Sequence, residues 1–511
     1  MIIFVLLFCG AHEAYGQTRT YLTGAVNPSN NGGIYNRGLL GAGGAKLDNA
    51  ERAANSTENT YASLRAEKVI ALGLSLGQGD VRLHIRNTGN NQLQINKPVY
   101  FKLKEKPITQ GLSIDLGTLL GLVEGVSIKG GLFTGASNPI PSSILPPVIA
   151  QENFGTALQN TKDQILIDKL GEYYLSIIPP TGQTFNAARL SVEMPSTVLT
   201  VVDVSSTTLQ VYNVFQLGTG TVCDVKPIFT DPGEQSGLNV DLSALKLLNL
   251  GKILTSPSSA IDDNEDSFSA LSPGLLSVGN YVSQTFFFNH LATDIDGIRF
   301  RVSLPLGLLN VALLNNISFQ AYNAESPIGS PIQLSEDILG LDLLGIPVLG
   351  NNYTIPVEFI VRPNQKFDRI KIRFNTTVDI GGSILSGSLR IHDVSLAPAA
   401  PEVSESAQPK NTTICERDEA KFSVIATQTG DRPLTYQWQY LEGETWTDVS
   451  GADLPELTLA NVPLSADGRR YRAAITGGNQ SCPQTIYSAD AVLNVTLKPG
   501  KPHVTITDII N

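Results

Sequence analysis

The chain runs to 511 residues, 42% of them apolar and only 16% charged, with a formal net charge of -11. That length is more than one hydrophobic core accommodates, and the apolar share excludes a disordered chain. The acidic balance, with no run of Lys or Arg, excludes a protein that tracks nucleic-acid phosphates, so nucleic acid is not an expected partner.

Residues 1–16 read as a signal peptide: an apolar stretch from Ile2 to Phe8 precedes Ala14-Tyr15-Gly16, a small-x-small cleavage pattern that leaves Gln17 at the mature start. Phe8 is too bulky beside Cys9 for a good lipoprotein site. Later apolar runs such as "DILGLDLLGIPVLG" are broken by Asp337 and Asp342, short of the roughly 18 apolar residues of a membrane helix, so no transmembrane span is expected in the mature chain. The expected location is extracellular or on the outer cell surface. Removing Cys9 leaves Cys223, Cys415 and Cys482, an odd number for an oxidising compartment. The mature histidines His84, His290, His392 and His503 offer no zinc spacing.

Next comes an internal repeat. "AANSTENTYASL" (Ala53 to Leu64) shares its plan with "AIDDNEDSFSAL" (Ala260 to Leu271), matching Ala53, Glu58, Tyr61 and Leu64 to Ala260, Glu265, Phe268 and Leu271, 207 residues on (260 minus 53). The alternating strand "GDVRLHI" from Gly79 then pairs with "DGIRFRV" from Asp296, and "VYFKLKEKPI" from Val99 with "ISFQAYNAESPI" from Ile317. "FNAARLSV" from Phe185 matches "FDRIKIRF" from Phe367, and "LQVYNVFQL" from Leu209 matches "LRIHDVSL" from Leu389. The offset falls from 218 (317 minus 99) to 182 (367 minus 185), which places an insertion of about 36 residues near 130–165. Many short strands with Gly, Asn and Pro at their ends predict an all-β fold, with one jelly-roll-like β-sandwich over 17–222 and another over 223–400. Two segments, "SGLNVDLSALKLLNLGKIL" and "QNTKDQILIDKLGEYYLSI", are candidates for short helices.

The acidic loop "AIDDNEDSFSAL" resembles the "A-I-D-G-N-x-x-T-x-W" loop of discoidin-type galactose-binding-like domains, jelly rolls that often hold a structural calcium there. The resemblance implies Asp262, Asn264 and Asp266 as metal ligands for calcium, an ion that takes six to eight oxygens. Asp263 stands where that family has Gly, and Ser269 or Ala270 where it has Trp. The first copy has Asn55, Thr57 and Asn59 at those places and lacks their charge. The alternative is a solvated turn in which Asp and Asn satisfy local backbone donors. Arg82, His84, Arg299 and Arg301 fall on the outer face of their strands, where they meet either water or an acidic sugar. Tyr173 and Tyr174 are candidates for core packing or for sugar stacking.

After the spacer "APAAPEVSESAQP" five strands follow, including "AKFSVIA", "LTYQWQY" and "RRYRAAI". With its entry "TICERDEAKFSV", its central "YQWQ" and its "TLANVPLSADGRRYR" segment, 401–497 resembles the immunoglobulin-like domains of large surface proteins of gliding bacteria, which are associated with type IX secretion. The resemblance implies Trp438 as the core tryptophan and Tyr471 as the tyrosine-corner residue, while Ala473 and Phe422 or Val424 replace the antibody-type cysteines. Cys415 and Cys482 then remain as a candidate disulfide, although the implied topology puts them at opposite ends of the sandwich. Residues 498–511 read as a tail or the start of a further domain. The sequons at Asn55, Asn316, Asn352, Asn375, Asn411, Asn479 and Asn494 would be glycan acceptors in a eukaryotic secretory pathway, and the resemblance to bacterial surface proteins implies that they are mostly chance.

These readings favour an exported, non-catalytic cell-surface protein of adhesin or glycan-binding type, whose partner is a glycan or surface polymer. The alternatives are a secreted carbohydrate-active enzyme on a jelly-roll scaffold, which would need paired carboxylates, and a purely structural stalk.

Overall fold

A computed structural model describes residues 18–25, 34–37, 45–71, 74–87, 92–105, 127–135, 155–193, 202–220, 223, 225–235, 254–272, 281–305, 314–339, 348–349, 353–375, 388–498 and 500. The segment expected to be a signal peptide, the helix candidate within 236–253 and the final eleven residues lie outside them. Two compact units form, one from 1–292 with 298–396 and the other from 293–297 with 397–511. Among the described residues no helix is long and apolar enough to cross a membrane.

The first unit holds two sandwiches built from the same eight strands. In the first these are β1 (Ala62–Ala71), β2 (Leu74–Arg86), β3 (Val99–Glu105), β4 (Ser127–Thr134), β5 (Thr156–Ala157), β6 (Tyr173–Ile178), β7 (Ala187–Glu193) and β8 (Val202–Leu217). In the second they are β9 (Ser269–Leu271), β10 (Tyr281–Ala292), β11 (Gly297–Ser303), β12 (Ile317–Asn323), β13 (Ser326–Gln333), β14 (Val357–Val361), β15 (Phe367–Asn375) and β16 (Leu389–Ala397). One sheet of the first sandwich runs β1-β8-β3-β6 and the other β2-β7-β4-β5. In the second the orders are β9-β16-β11-β14 and β10-β15-β12-β13. Each strand therefore has its counterpart eight places on, and both orders are those of a jelly roll.

Inward apolar side chains carry this equivalence, because a slip of one residue would turn a whole strand inside out. Leu64 faces Leu209 as Leu271 faces Leu389. Leu47 faces Leu64 as Leu254 faces Leu271. Val81 faces Val192 as Val282 faces Phe374, and Ile128 faces Val192 as Ile317 faces Phe374. These residues fill two separate cores, in which Leu64, Val81 and Val192, like Leu271, Val282 and Phe374, are buried.

The structure corrects the middle of the sequence alignment. "GDVRLHI" lies in β2, whose counterpart is β10, whereas "DGIRFRV" forms β11, the counterpart of β3; "ISFQAYNAESPI" likewise answers β4 and not β3. The offset then runs from 199 (300 minus 101) through 189 (319 minus 130) to 182 (374 minus 192), and between β4 and β5 the first sandwich has 21 residues (135–155) where the second has two (324–325), within the insertion expected near 130–165. The second helix candidate is overturned as well. Its residues form the hairpin Lys162–Ile167 with β6, because Gly171 takes a φ of +78° and Asp168 Oδ1 accepts from the backbone N–H groups of Leu170 and Glu172 at 2.9 Å, closing a turn.

The outer face of β3, β6 and β8 meets the second sandwich. Tyr100, Tyr174, Phe215, Phe229 and Phe287 form a cluster there, with Tyr100 and Phe229 ring centres 5.3 Å apart, and Tyr174 donates to Asp168 Oδ2 at 2.9 Å. Tyr174 is thus a packing residue, while Tyr173 leans on the first core. At the far edge of the second sandwich β13 carries Pro327 and Pro331, which remove donors from an exposed edge strand.

In the second unit β17 (Thr412–Cys415) runs parallel to β24 (Ala491–Thr496), which joins β22 (Arg470–Gly478), β19 (Thr435–Glu442) and β20 (Thr445–Asp448), with β23 (Pro483–Tyr487) also on β22. β18 (Ala420–Ser423) and β21 (Glu456–Leu459) form the facing sheet. This is an immunoglobulin-like sandwich. Trp438 is fully buried, donating its indole N–H to the Leu454 carbonyl at 2.9 Å, and Phe422, Val424 and Ala473 fill the places of the antibody cysteines. Tyr471 stacks on Phe422 with ring centres 5.2 Å apart, and its hydroxyl faces the Arg469 guanidinium. The turn 293–297 belongs to this unit through buried Asp296, whose carboxylate accepts from the Ala399 N–H at 3.0 Å and from Asn479 Nδ2 at 2.9 Å. That bond occupies the nitrogen of the Asn479 sequon.

The Cys415–Cys482 pairing is overturned: Cys482 is in a disulfide while Cys415 is a free thiol. Cys415 pairs with Thr496 at the end of β24, whereas Cys482 sits before β23, so nearly the whole closing edge separates them. At about 3.3 Å per residue that edge far exceeds the Cα separation of a disulfide.

Candidate binding surface

Each acidic loop follows a short 3-10 helix, Ala50–Ala53 or Pro257–Ala260, entered through a left-handed residue, Asn49 at φ 55° or Ser256 at φ 49°. Both loops then fold on their own side chains. Asn55 Oδ1 accepts from the Thr57 N–H at 2.8 Å, and Asp262 Oδ1 accepts from the Asn264 N–H at 3.0 Å. Asn264 Oδ1 in turn accepts from the Asp266 N–H at 3.1 Å, and Ser267 Oγ lies 2.8 Å from Asp262 Oδ2. The donor set of Asp262 and Asn264 thus fits a self-satisfied turn, each using a side-chain oxygen on local backbone. Among the described residues no group of three or more His, Cys, Asp or Glu is placed to hold a metal ion.

The next acid in each loop reaches across the sheet. Glu58 Oε2 accepts from Lys102 Nζ of β3 at 3.0 Å and Oε1 from Arg19 at 2.6 Å, and Glu265 pairs with Arg301 of β11. Lys102 also pairs with Glu172, and its side chain is only 7% exposed. Burial alone would raise the Glu58 carboxyl and lower the Lys102 ammonium. Their mutual hydrogen bonds and charges reverse both, holding Glu58 below its ordinary value and Lys102 above.

Beside each ion pair two rings meet between the first and last strands. Tyr61 and Tyr212 have ring centres 5.4 Å apart, and Phe268 and His392 repeat the contact at 5.4 Å. The first sandwich bulges here, since Val211 and Val214 of β8 face Leu103 and Phe101. In the second copy Arg390 lies over Phe268 at 4.6 Å and over Tyr353 at 3.6 Å, and His392 Nε2 is 2.9 Å from Ser303 Oγ. Burial, then the charge of Arg301, lowers the His392 pKa. In the first copy Gln210 stands at the place of Arg390 and accepts from the Tyr212 hydroxyl at 3.3 Å.

Of the basic residues expected on the outer faces, Arg299 is exposed, Arg301 is ion-paired and His84 is buried. Tyr212, His392 and Lys102 carry no local motif and come together only through strand pairing, so the sequence analysis missed them.

Strand order and burial define an all-β protein of tandem jelly rolls with an immunoglobulin-like sandwich. No protein-family model and no curated protein matches the chain. Among solved structures, the IG1+IG2 fragment of DIP-gamma is similar at 9% identity over 42% of this chain and 89% of that one, with a TM-score of 0.16. Titin domains I67–I69 are similar at 10% identity over 67% and 90%, with a TM-score of 0.15. The twitchin kinase region of C. elegans is similar at 18% identity over 19% and 17%, with a TM-score of 0.14. At TM-scores of this size the fold rests on the chain's own strand pairing.

Proposed function

We propose that the chain is an exported, non-catalytic protein of adhesin or glycan-binding type that works outside the cell or at its outer surface. The observation that carries this reading is the state of Glu58. It is the acid common to both loop copies, and its carboxyl is held ionised by Lys102 and Arg19. A glycosidase needs an acid whose pKa is raised so that it can protonate a leaving group, and Glu58 is driven the other way. A whole module duplicated with its core register intact is what a binding or spacing role asks for. The disulfide-bonded state of Cys223 and Cys482 supports an oxidising compartment. The test is adhesion of the purified full chain to bacterial and host cells and to immobilised polysaccharides, with hydrolysis of the same polysaccharides assayed in parallel. Adhesion without turnover is the expected result; turnover abolished by Glu58→Gln would establish an enzyme, and neither adhesion nor turnover would leave a stalk.

A further inference from the structure

We propose that the Tyr61–Tyr212 pair is the ligand platform of the first sandwich and that it takes a neutral hexose-based glycan, an inference that rests on the binding reading above. Both rings are half-buried, so each stays partly accessible to solvent while the two pack on one another. Aromatic faces of this kind stack on the apolar face of a pyranose ring. Around them stand Glu58 and Glu172 on either side of Lys102, with carboxylates 48% and 39% exposed and the ammonium between them nearly buried. With Arg19 also paired to Glu58, two cations and two carboxylates neutralise one another and offer donors and acceptors side by side, which suits the hydroxyls of an uncharged sugar and gives an anionic polymer no net attraction. A tyrosine hydroxyl oriented by Gln210 adds a further polar contact at the rim.

The second copy explains why the platform is confined to the first. There the Arg390 guanidinium already covers the Phe268 ring and that of Tyr353, filling the place where a sugar would stack. The two copies thus share one frame, with the aromatic face closed by a cation in one and left to the tyrosine pair in the other.

The experiment is calorimetric titration of the full chain with the hexaoses of β-glucan, mannan and galactan, and with polygalacturonate as the anionic counterpart. Wild-type binding of at least one hexaose is expected, weakened by about tenfold or more in Tyr61→Ala and Tyr212→Ala. Tyr212→Phe, which keeps the ring but loses the rim hydroxyl, is expected to weaken binding less than Tyr212→Ala, and Phe268→Ala, in the closed copy, is expected to bind like wild type; unchanged melting temperatures show that the variants fold. Binding unaffected by either alanine variant overturns the site, as does binding of polygalacturonate alone. If no hexaose binds while the chain still adheres to cells, the platform is overturned and the adhesin reading stands; loss of both removes the two together.

Discussion

Glu58 and Glu265 occupy the same place in two copies of one loop, and each carboxylate crosses to a basic side chain on the third strand of its sandwich, Lys102 in one and Arg301 in the other. The pair pins a loop to a sheet, and in the first copy it does so with a lysine that is almost wholly enclosed. Replacing Lys102 by Ala leaves Glu172 without this cation and Glu58 with Arg19 alone, and is expected to cost about 2 kcal/mol. Glu58→Gln should cost less, about 0.5–1 kcal/mol, because that carboxylate is half exposed and screened. The difference also has a pH signature. Glu58 titrates below its ordinary 4.5, so its stabilisation is complete above that value and disappears as the pH falls through the lowered folded pKa. Melting curves of wild type and Glu58→Gln should therefore differ at neutral pH and converge in acid; an equal gap at every pH would contradict the assignment.

The ends of the repeat were readable in the sequence and its middle was not, for a physical reason. The loop pair from Ala53 and Ala260 combines a turn, an acid and an aromatic at fixed spacing, a combination that few segments share. A half-buried strand such as "VRLHI" or "IRFRV" carries only alternation, and every antiparallel strand of a sandwich alternates. The matching therefore slid by one strand where nothing but alternation guided it, and β3 and β11 were separated. The ion pair was hidden for the same reason: Glu58 was visible, but Lys102 becomes its partner only once β3 is placed beside β8.

Thiol chemistry gives a second prediction. Cys415 is free and partly exposed, whereas Cys223 and Cys482 are bonded. Maleimide labelling of the native chain without reductant should modify Cys415 and spare the other two, and labelling should be lost in Cys415→Ser. Cys482→Ser should lower the melting temperature, in line with the roughly 2–4 kcal/mol typical of a disulfide, whereas Cys415→Ser should leave it unchanged. Modification of Cys482 in the unreduced protein would contradict its bonded state.

The immunoglobulin-like unit depends on packing around Trp438, since Phe422, Val424 and Ala473 stand where a bridge would otherwise cross. Trp438→Ala is expected to cost about 3–5 kcal/mol. Trp438→Phe keeps much of the volume but leaves the Leu454 carbonyl without its indole donor, for a cost of about 1–3 kcal/mol. Fluorescence-monitored unfolding should show this order in the transition reported by the remaining Trp446, and an alanine variant as stable as wild type would remove Trp438 from the core.

The two jelly rolls fill one equivalent position in different ways. Phe319 on β12 is fully buried against β15, opposite Ile372, and its counterpart on β4 is Gly130, opposite Leu190. A Cβ at Gly130 would run into the Ile177 side chain and come within 2.8 Å of Asp163 Oδ1, so the neighbouring isoleucine already occupies the room that Phe319 takes in the second copy. Gly130→Ala is therefore expected to overpack the first core and destabilise it by about 1–3 kcal/mol. Ile177→Val removes a methyl from the contested space, so the double variant should recover part of the loss, which a double-mutant cycle in denaturant reads directly. Strictly additive single effects would mean that the two side chains do not compete, and that the first sandwich tolerates a larger residue at Gly130 by some movement of the strand.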